Sequence, residues 1–142
     1  MKDWLEKFAG TKWRGQGDLW LDPEGNSAEH YDCELEIEND SIVYSWLHEN
    51  EAKNGRFTFN ETGASWFDTW HQQNAVQCIN VPNAWGIFTV SYEYEVPNNP
   101  NWAWRSKLSQ RPDDSLVLQM TNIAPWGEEG RSVRMIFNCA QA

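Results

Sequence analysis

The segment HYDCELEIE, His30 to Glu38, alternates without a slip. Tyr31, Cys33, Leu35 and Ile37 fall on one face of an extended chain, and His30, Asp32, Glu34, Glu36 and Glu38 fall on the other. A side-chain period of two belongs to a strand with one dry and one wet face, and a helix does not present it. FTVSYEYEV repeats the pattern, with Phe88, Val90, Tyr92, Tyr94 and Val96 opposing Thr89, Ser91, Glu93 and Glu95. Turn-forming clusters recur every eight to twelve residues: DPEGN (22–26), END (38–40), HENEAKNG (48–55), NETG (60–63), QQN (72–74), VPNAWG (81–86), VPNNP (96–100), RPDD (111–114) and WGEEG (126–130). One-faced strands joined at that rhythm predict an all-β antiparallel meander of about ten strands.

A meander leaves two exposed edges unless its first and last strands meet, and closure removes both. The expected architecture is therefore an up-and-down β-barrel, with a two-layer sandwich as the alternative use of the same strands. Before the first strand, KDWLEKFAG predicts a short amphipathic helix within residues 1–10: Asp3 suits a cap, Glu6 the capping-box position and Gly10 the stop, while Trp4, Leu5 and Phe8 share a face. That helix is available to plug one end. Gly15 and Gly17 mark bends or close approach on the first strand. A chain of 142 residues fits one domain, 1–142.

Ten tryptophans are more than a core of this size needs, and each buried indole N–H wants a partner. A barrel of eight strands fills with side chains or holds one small ligand, and a larger one encloses more room. The inward registers nominate Trp13, Tyr44, Trp46, Trp66, Trp70, Tyr92, Trp102, Trp104 and Met120 as walls of a cavity, with Leu19, Leu21, Phe57 and Phe59 among its other apolar neighbours. WFDTWH (66–71) puts Trp66, Asp68 and Trp70 on one face, and two indoles are poor surface residues, so Asp68 is expected inside with them. His48, in the Tyr44–Trp46 register, is the second polar anchor; Ser106 and Asn122 are further polar candidates. An aromatic stripe on any one strand is more often plain core. Summed over the strands, the excess points to a site for a small apolar or aromatic molecule.

Two other readings use the same residues differently. A cofactor-free lyase, isomerase or hydrolase would need Asp68 and His48 as acid and base within reach of each other. An external platform for carbohydrate or a protein partner would need Trp20, Trp85 and Trp126 clustered outside. Linear signatures of catalysis are absent: there is no nucleophile elbow, phosphate-binding loop, dinucleotide glycine pattern or H-E-x-x-H. Strict alternation turns Arg105 and Arg134 outward, His30 into solvent and His71 toward the rim or surface.

The formal charge of -10 argues against nucleic acid or an anionic membrane as partner. Cys33, Cys78 and Cys139 are odd in number, with no C-x-x-C and no histidine spaced for zinc, so free thiols are expected rather than a disulfide framework or a metal site. The start lacks a secretory signal pattern and no apolar run is long enough to span a bilayer, so a soluble, cytoplasmic protein is expected, and the NET at 60–62 carries no glycosylation meaning. Nothing nominates a cofactor or fixes the oligomeric state.

The opening FAGTKWRGQGDLWLDPEG resembles the first strand of calycin-type barrels, the superfamily of lipocalins, fatty-acid-binding proteins and nitrobindins. Gly10 and Trp13 take the place of their G-x-W, with one extra residue between them. From Phe8 to Phe137 the chain resembles an uncharacterised bacterial family of lipocalin-like barrels, through TKWRGQG, WFDTWH and RSVRMIF. The resemblance implies a closed barrel with a central cavity. It does not extend to the haem of nitrobindin-like barrels, held by a histidine near the C-terminus, because no histidine follows His71.

Overall fold

A computed structural model describes residues 3–20, 28–69 and 74–141. Helix α1 (Asp3–Phe8) leads into ten strands: β1 (Lys12–Trp20), β2 (Ala28–Ile37), β3 (Ser41–His48), β4 (Glu51–Phe59), β5 (Gly63–Asp68), β6 (Val76–Asn80), β7 (Phe88–Val96), β8 (Asn99–Gln110), β9 (Leu116–Ile123) and β10 (Glu129–Gln141). Each strand pairs antiparallel with its neighbour in sequence, and β1 also pairs with β10, so the sheet closes into the expected barrel. The sandwich alternative is thereby excluded. Leu21, Trp70 and His71 lie outside the described residues, as does the DPEGN turn.

One turn is much shorter than the sequence suggested. The polar run 48–55 contains only a two-residue hairpin, Glu49 and Asn50, with φ of 51° and 65°. Two consecutive positive φ values make the tight turn whose twist matches the strands it joins. The remainder of the run belongs to β4, which places Lys53 and Gly55 in the inward register of Phe57.

Alternation decides what the barrel buries. Trp13, Leu35, Ile37, Ile42, Phe57, Leu108, Leu116, Leu118 and Phe137 are all at most 4% exposed and point inward from seven strands. Helix α1 closes that end: Leu5 is buried, Trp4 meets the rings of Phe59 and Phe88 at 5.0 and 5.8 Å, and Phe8 lies 6.0 Å from Trp13. Gly10 ends the helix with φ of 87°, and its N–H donates to the Ile37 carbonyl at 2.8 Å, stitching the plug to β2. Trp13, the tryptophan of the G-T-K-W segment, donates its indole N–H to Thr11 at 2.9 Å beneath this cover.

The outward assignments of the two arginines hold. Arg134 donates to Asp18 at 2.9 Å with its guanidinium 5.4 Å over the ring of Trp20, and Arg105 stands 3.6 Å from Glu129. His30 is 77% exposed, its Nδ1 2.6 Å from the same Asp18. Among the described residues no helix is long and apolar enough to cross a membrane.

Candidate functional site

Three positions in register across β3, β4 and β5 set the middle of the barrel: Tyr44 faces Gly55, and Gly55 faces Asp68. A Cβ on Gly55 would stand 2.0 Å from Cζ of Tyr44 and 2.1 Å from its hydroxyl oxygen, so the phenol ring lies directly across the bare backbone. By crossing β4 the Tyr44 hydroxyl reaches the Asp68 carboxylate and donates to it. The same oxygen accepts the indole N–H of Trp66 at 2.9 Å. Burial first, then the Asp68 charge and hydrogen bond, push the Tyr44 hydroxyl well above its ordinary pKa and keep it a donor. Asp68 is 1% exposed and Trp66 0%, so both point inward as expected, as parts of a packed polar network.

Gly17 serves Tyr31 in the same way: the two face each other across β1 and β2, and a Cβ there would sit 2.3 Å from the ring. Tyr31 packs 5.1 Å from Trp46, which lies 5.8 Å from the His48 ring. On the other side of the lumen, Trp66 and Trp104 stack at 6.1 Å with an interplanar angle of 6°. Their rings span from β5 to β8 and floor the end of the barrel opposite α1.

Above that floor the inward side chains cease to be sealed. Tyr92, Tyr94, Trp102, Asn122, His48 and Lys53 are all half-buried. Tyr92 faces Trp104, Tyr94 faces Trp102, and Trp104 faces Asn122, so the aromatic wall is one continuous patch on β7, β8 and β9. The Tyr94 hydroxyl donates to Oδ1 of Asn122, and Trp126 caps Trp102 edge-on at 5.7 Å. The facing wall is polar. His48 places Nδ1 3.3 Å from Glu29 and Nε2 3.8 Å from Glu49, while the Lys53 ammonium lies 3.1 Å from Glu51. In the ring of ten, β3 and β8 are five steps apart in either direction, so these two walls oppose each other.

The eleven nominated residues thus divide by depth. Trp13, Tyr44, Trp46, Trp66, Asp68 and Met120 are at most 4% exposed and packed side chain against side chain; Trp104, at 8%, forms the floor; Tyr92, Trp102 and His48 present surface to the mouth. Trp70 lies outside the described residues. His48 and Asp68 do not share a row of the barrel. Asp68 shares the row of Tyr44, and His48 is four residues further along β3, roughly 13 Å at the strand rise. Nor do the three outer tryptophans cluster: Trp85 is in the β6–β7 loop at the helix end, Trp126 in the β9–β10 loop at the mouth, and Trp20 lies under Arg134. Lys53 was hidden because its segment reads as a turn; its parity with Phe57 is the signal that reveals it. Cys33 and Cys78 are free and buried, and Cys139 is free and exposed.

The chain matches no protein-family model, and no curated protein matches it.

Proposed function

We propose that the protein binds a small aromatic or apolar molecule in the cup at the barrel mouth. The reading rests on one contrast: Phe57, Phe88 and Phe137 at the helix end are at most 7% exposed, whereas Tyr92, Tyr94 and Trp102 at the opposite end are half-buried. A contiguous apolar patch facing into a concavity, with a few polar groups opposite, is the usual composition of a small-molecule site. Trp104 over Trp66 supplies the floor, Tyr92, Tyr94 and Trp102 one wall, and His48, Lys53 and Asn122 the polar groups that orient the guest. Closed antiparallel topology with a plugged base supports a calycin-type, lipocalin-like reading, and the charge of -10 supports a guest other than nucleic acid or an anionic membrane. A soluble cytoplasmic carrier in a bacterium is the setting we infer.

The test is titration with N-phenyl-1-naphthylamine, a neutral aromatic probe. Its emission should rise and tryptophan emission should fall together. Trp102→Ala and Tyr92→Ala should each weaken binding about tenfold or more, the effect of losing roughly 1.4 kcal/mol of contact. Undiminished binding by both variants would remove the cup from consideration.

A further inference from the structure

Among the described residues, most cations on the outer face of the barrel stand beside or opposite an acid. Lys12 stands opposite Glu36 and Arg14 opposite Glu34 in the β1–β2 register. Arg56 meets Glu38 at 2.8 Å and Arg134 meets Asp18 at 2.9 Å. Arg105 and Lys107 break the pattern. They are successive outward positions on β8, about 7 Å apart along the strand. The neighbours of Arg105 across the sheet are Ser91 and Thr121, and those of Lys107 are Thr89 and Gln119, all uncharged. The nearest acid is Glu129, at 3.6 Å from Arg105 in a half-exposed contact too long for a hydrogen bond.

Beside this pair stands Trp85, 87% exposed. Its loop is held in place. Val81 N–H donates to the Thr89 carbonyl at 3.0 Å, Ile87 N–H donates to the Leu108 carbonyl at 2.7 Å, and the Thr89 hydroxyl donates to the Trp85 carbonyl at 3.1 Å. Gly86 turns the chain with φ of 99°, where a Cβ would come within 2.8 Å of the Leu108 oxygen. A fixed loop thus displays an indole that the core does not use. Trp85, Arg105, Lys107, Gln119, Thr121 and, at its edge, Glu129 are among the residues that line a cleft of about 490 Å³ on the outer wall, separate from the cup.

We propose that this cleft is a second binding site, for an acidic carbohydrate. A pyranose stacks one face on Trp85, Arg105 and Lys107 hold its carboxylate or phosphate, and Gln119 and Thr121 serve its hydroxyls. An indole open on one side, with uncharged hydrogen-bonding groups around Lys107 and around an Arg105 held only by its half-exposed 3.6 Å contact with Glu129, suits a polyhydroxylated anionic ring better than an apolar one.

The experiment follows indole N–H resonances by ¹H–¹⁵N NMR, with Trp85 assigned by its loss in Trp85→Ala. The probes are sodium glucuronate, glucose 6-phosphate, neutral glucose and AMP. At least one acidic sugar should shift the Trp85 signal saturably with Kd of about 1 mM. Glucose should bind at least tenfold more weakly, and the Arg105→Gln/Lys107→Gln double variant should lose at least tenfold for the acidic sugar. Added salt should weaken the interaction, since the charges are exposed. No saturable shift with either acidic sugar overturns the proposal, as does equal binding of glucose. AMP binding tenfold tighter than both acidic sugars overturns the carbohydrate assignment.

Discussion

Replacing Gly55 by alanine tests whether the barrel interior is built around a ring crossing a bare strand. The added methyl would arrive 2.0 Å from Cζ of Tyr44 and 2.1 Å from its hydroxyl oxygen, both well inside contact distance. The neighbouring ring is fully enclosed, so it must rotate or shift against Phe57, 6.1 Å away. Three costs then add. The hydrogen bond to the Asp68 carboxylate is worth about 1.5–3 kcal/mol, the Trp66 indole loses an acceptor worth about 1 kcal/mol, and overpacking costs about 1–3 kcal/mol. Alanine's better strand entropy returns roughly 0.5–1 kcal/mol. The net expectation is a destabilisation of about 4 kcal/mol, a fall of about 2 M in the urea midpoint at a slope near 2 kcal/mol/M. The decisive comparison repeats the substitution in a Tyr44→Leu background, where the clashing atoms are gone. There Gly55→Ala should be neutral or slightly stabilising. A cost below about 1 kcal/mol in the wild-type protein, or an equal cost in both backgrounds, would mean that the Tyr44 ring is not what excludes a side chain at position 55.

Two further predictions concern the thiols. Burial pushes Cys33 and Cys78 up to about 12, leaving about one thiolate in ten thousand at pH 8, so a thiol reagent should label Cys139 alone in the folded protein and all three after denaturation; early labelling of Cys33 or Cys78 would contradict their packing. The same shifts set an alkaline limit. The unfolded chain releases these protons from about pH 9 and the native state only near 12, so their contribution is intact below 9 and shrinks as pH rises, by about 1.4 kcal/mol per unit for each thiol. Denaturation midpoints measured from pH 8 to 11 should fall accordingly, and a flat profile would count against both burials.

Much of the fold was legible because alternation and turn spacing are local signals. HYDCELEIE and FTVSYEYEV fixed which residues face inward, and Asp3 to Gly10 carried the marks of the helix that plugs the base. The hairpin at Glu49 and Asn50 was not legible. Neither residue is glycine, yet both take positive φ, and the polar run after them conceals a strand. With that strand hidden, Gly55 and Lys53 lost their register, and the reach of Tyr44 to Asp68 could not be read.

Depth along a strand is the deeper difficulty. A period of two states the side of the wall a residue occupies and nothing about its height, because height depends on the summed offsets of successive hairpins. Tyr44 and His48 share one face of β3, yet the first is sealed at 1% exposure and the second borders the mouth. Asp68 takes the height of Tyr44 only because two ladders, Tyr44 to Gly55 and Gly55 to Asp68, stack in one row. Its carboxylate therefore braces the floor: it accepts the Tyr44 O–H, the Tyr44 oxygen accepts the Trp66 N–H, and Trp66 bears the face of Trp104. A guest in the cup meets the top of that stack, so the aromatic excess serves two purposes, a packed base that fixes ring positions and an upper wall left uncovered for contact.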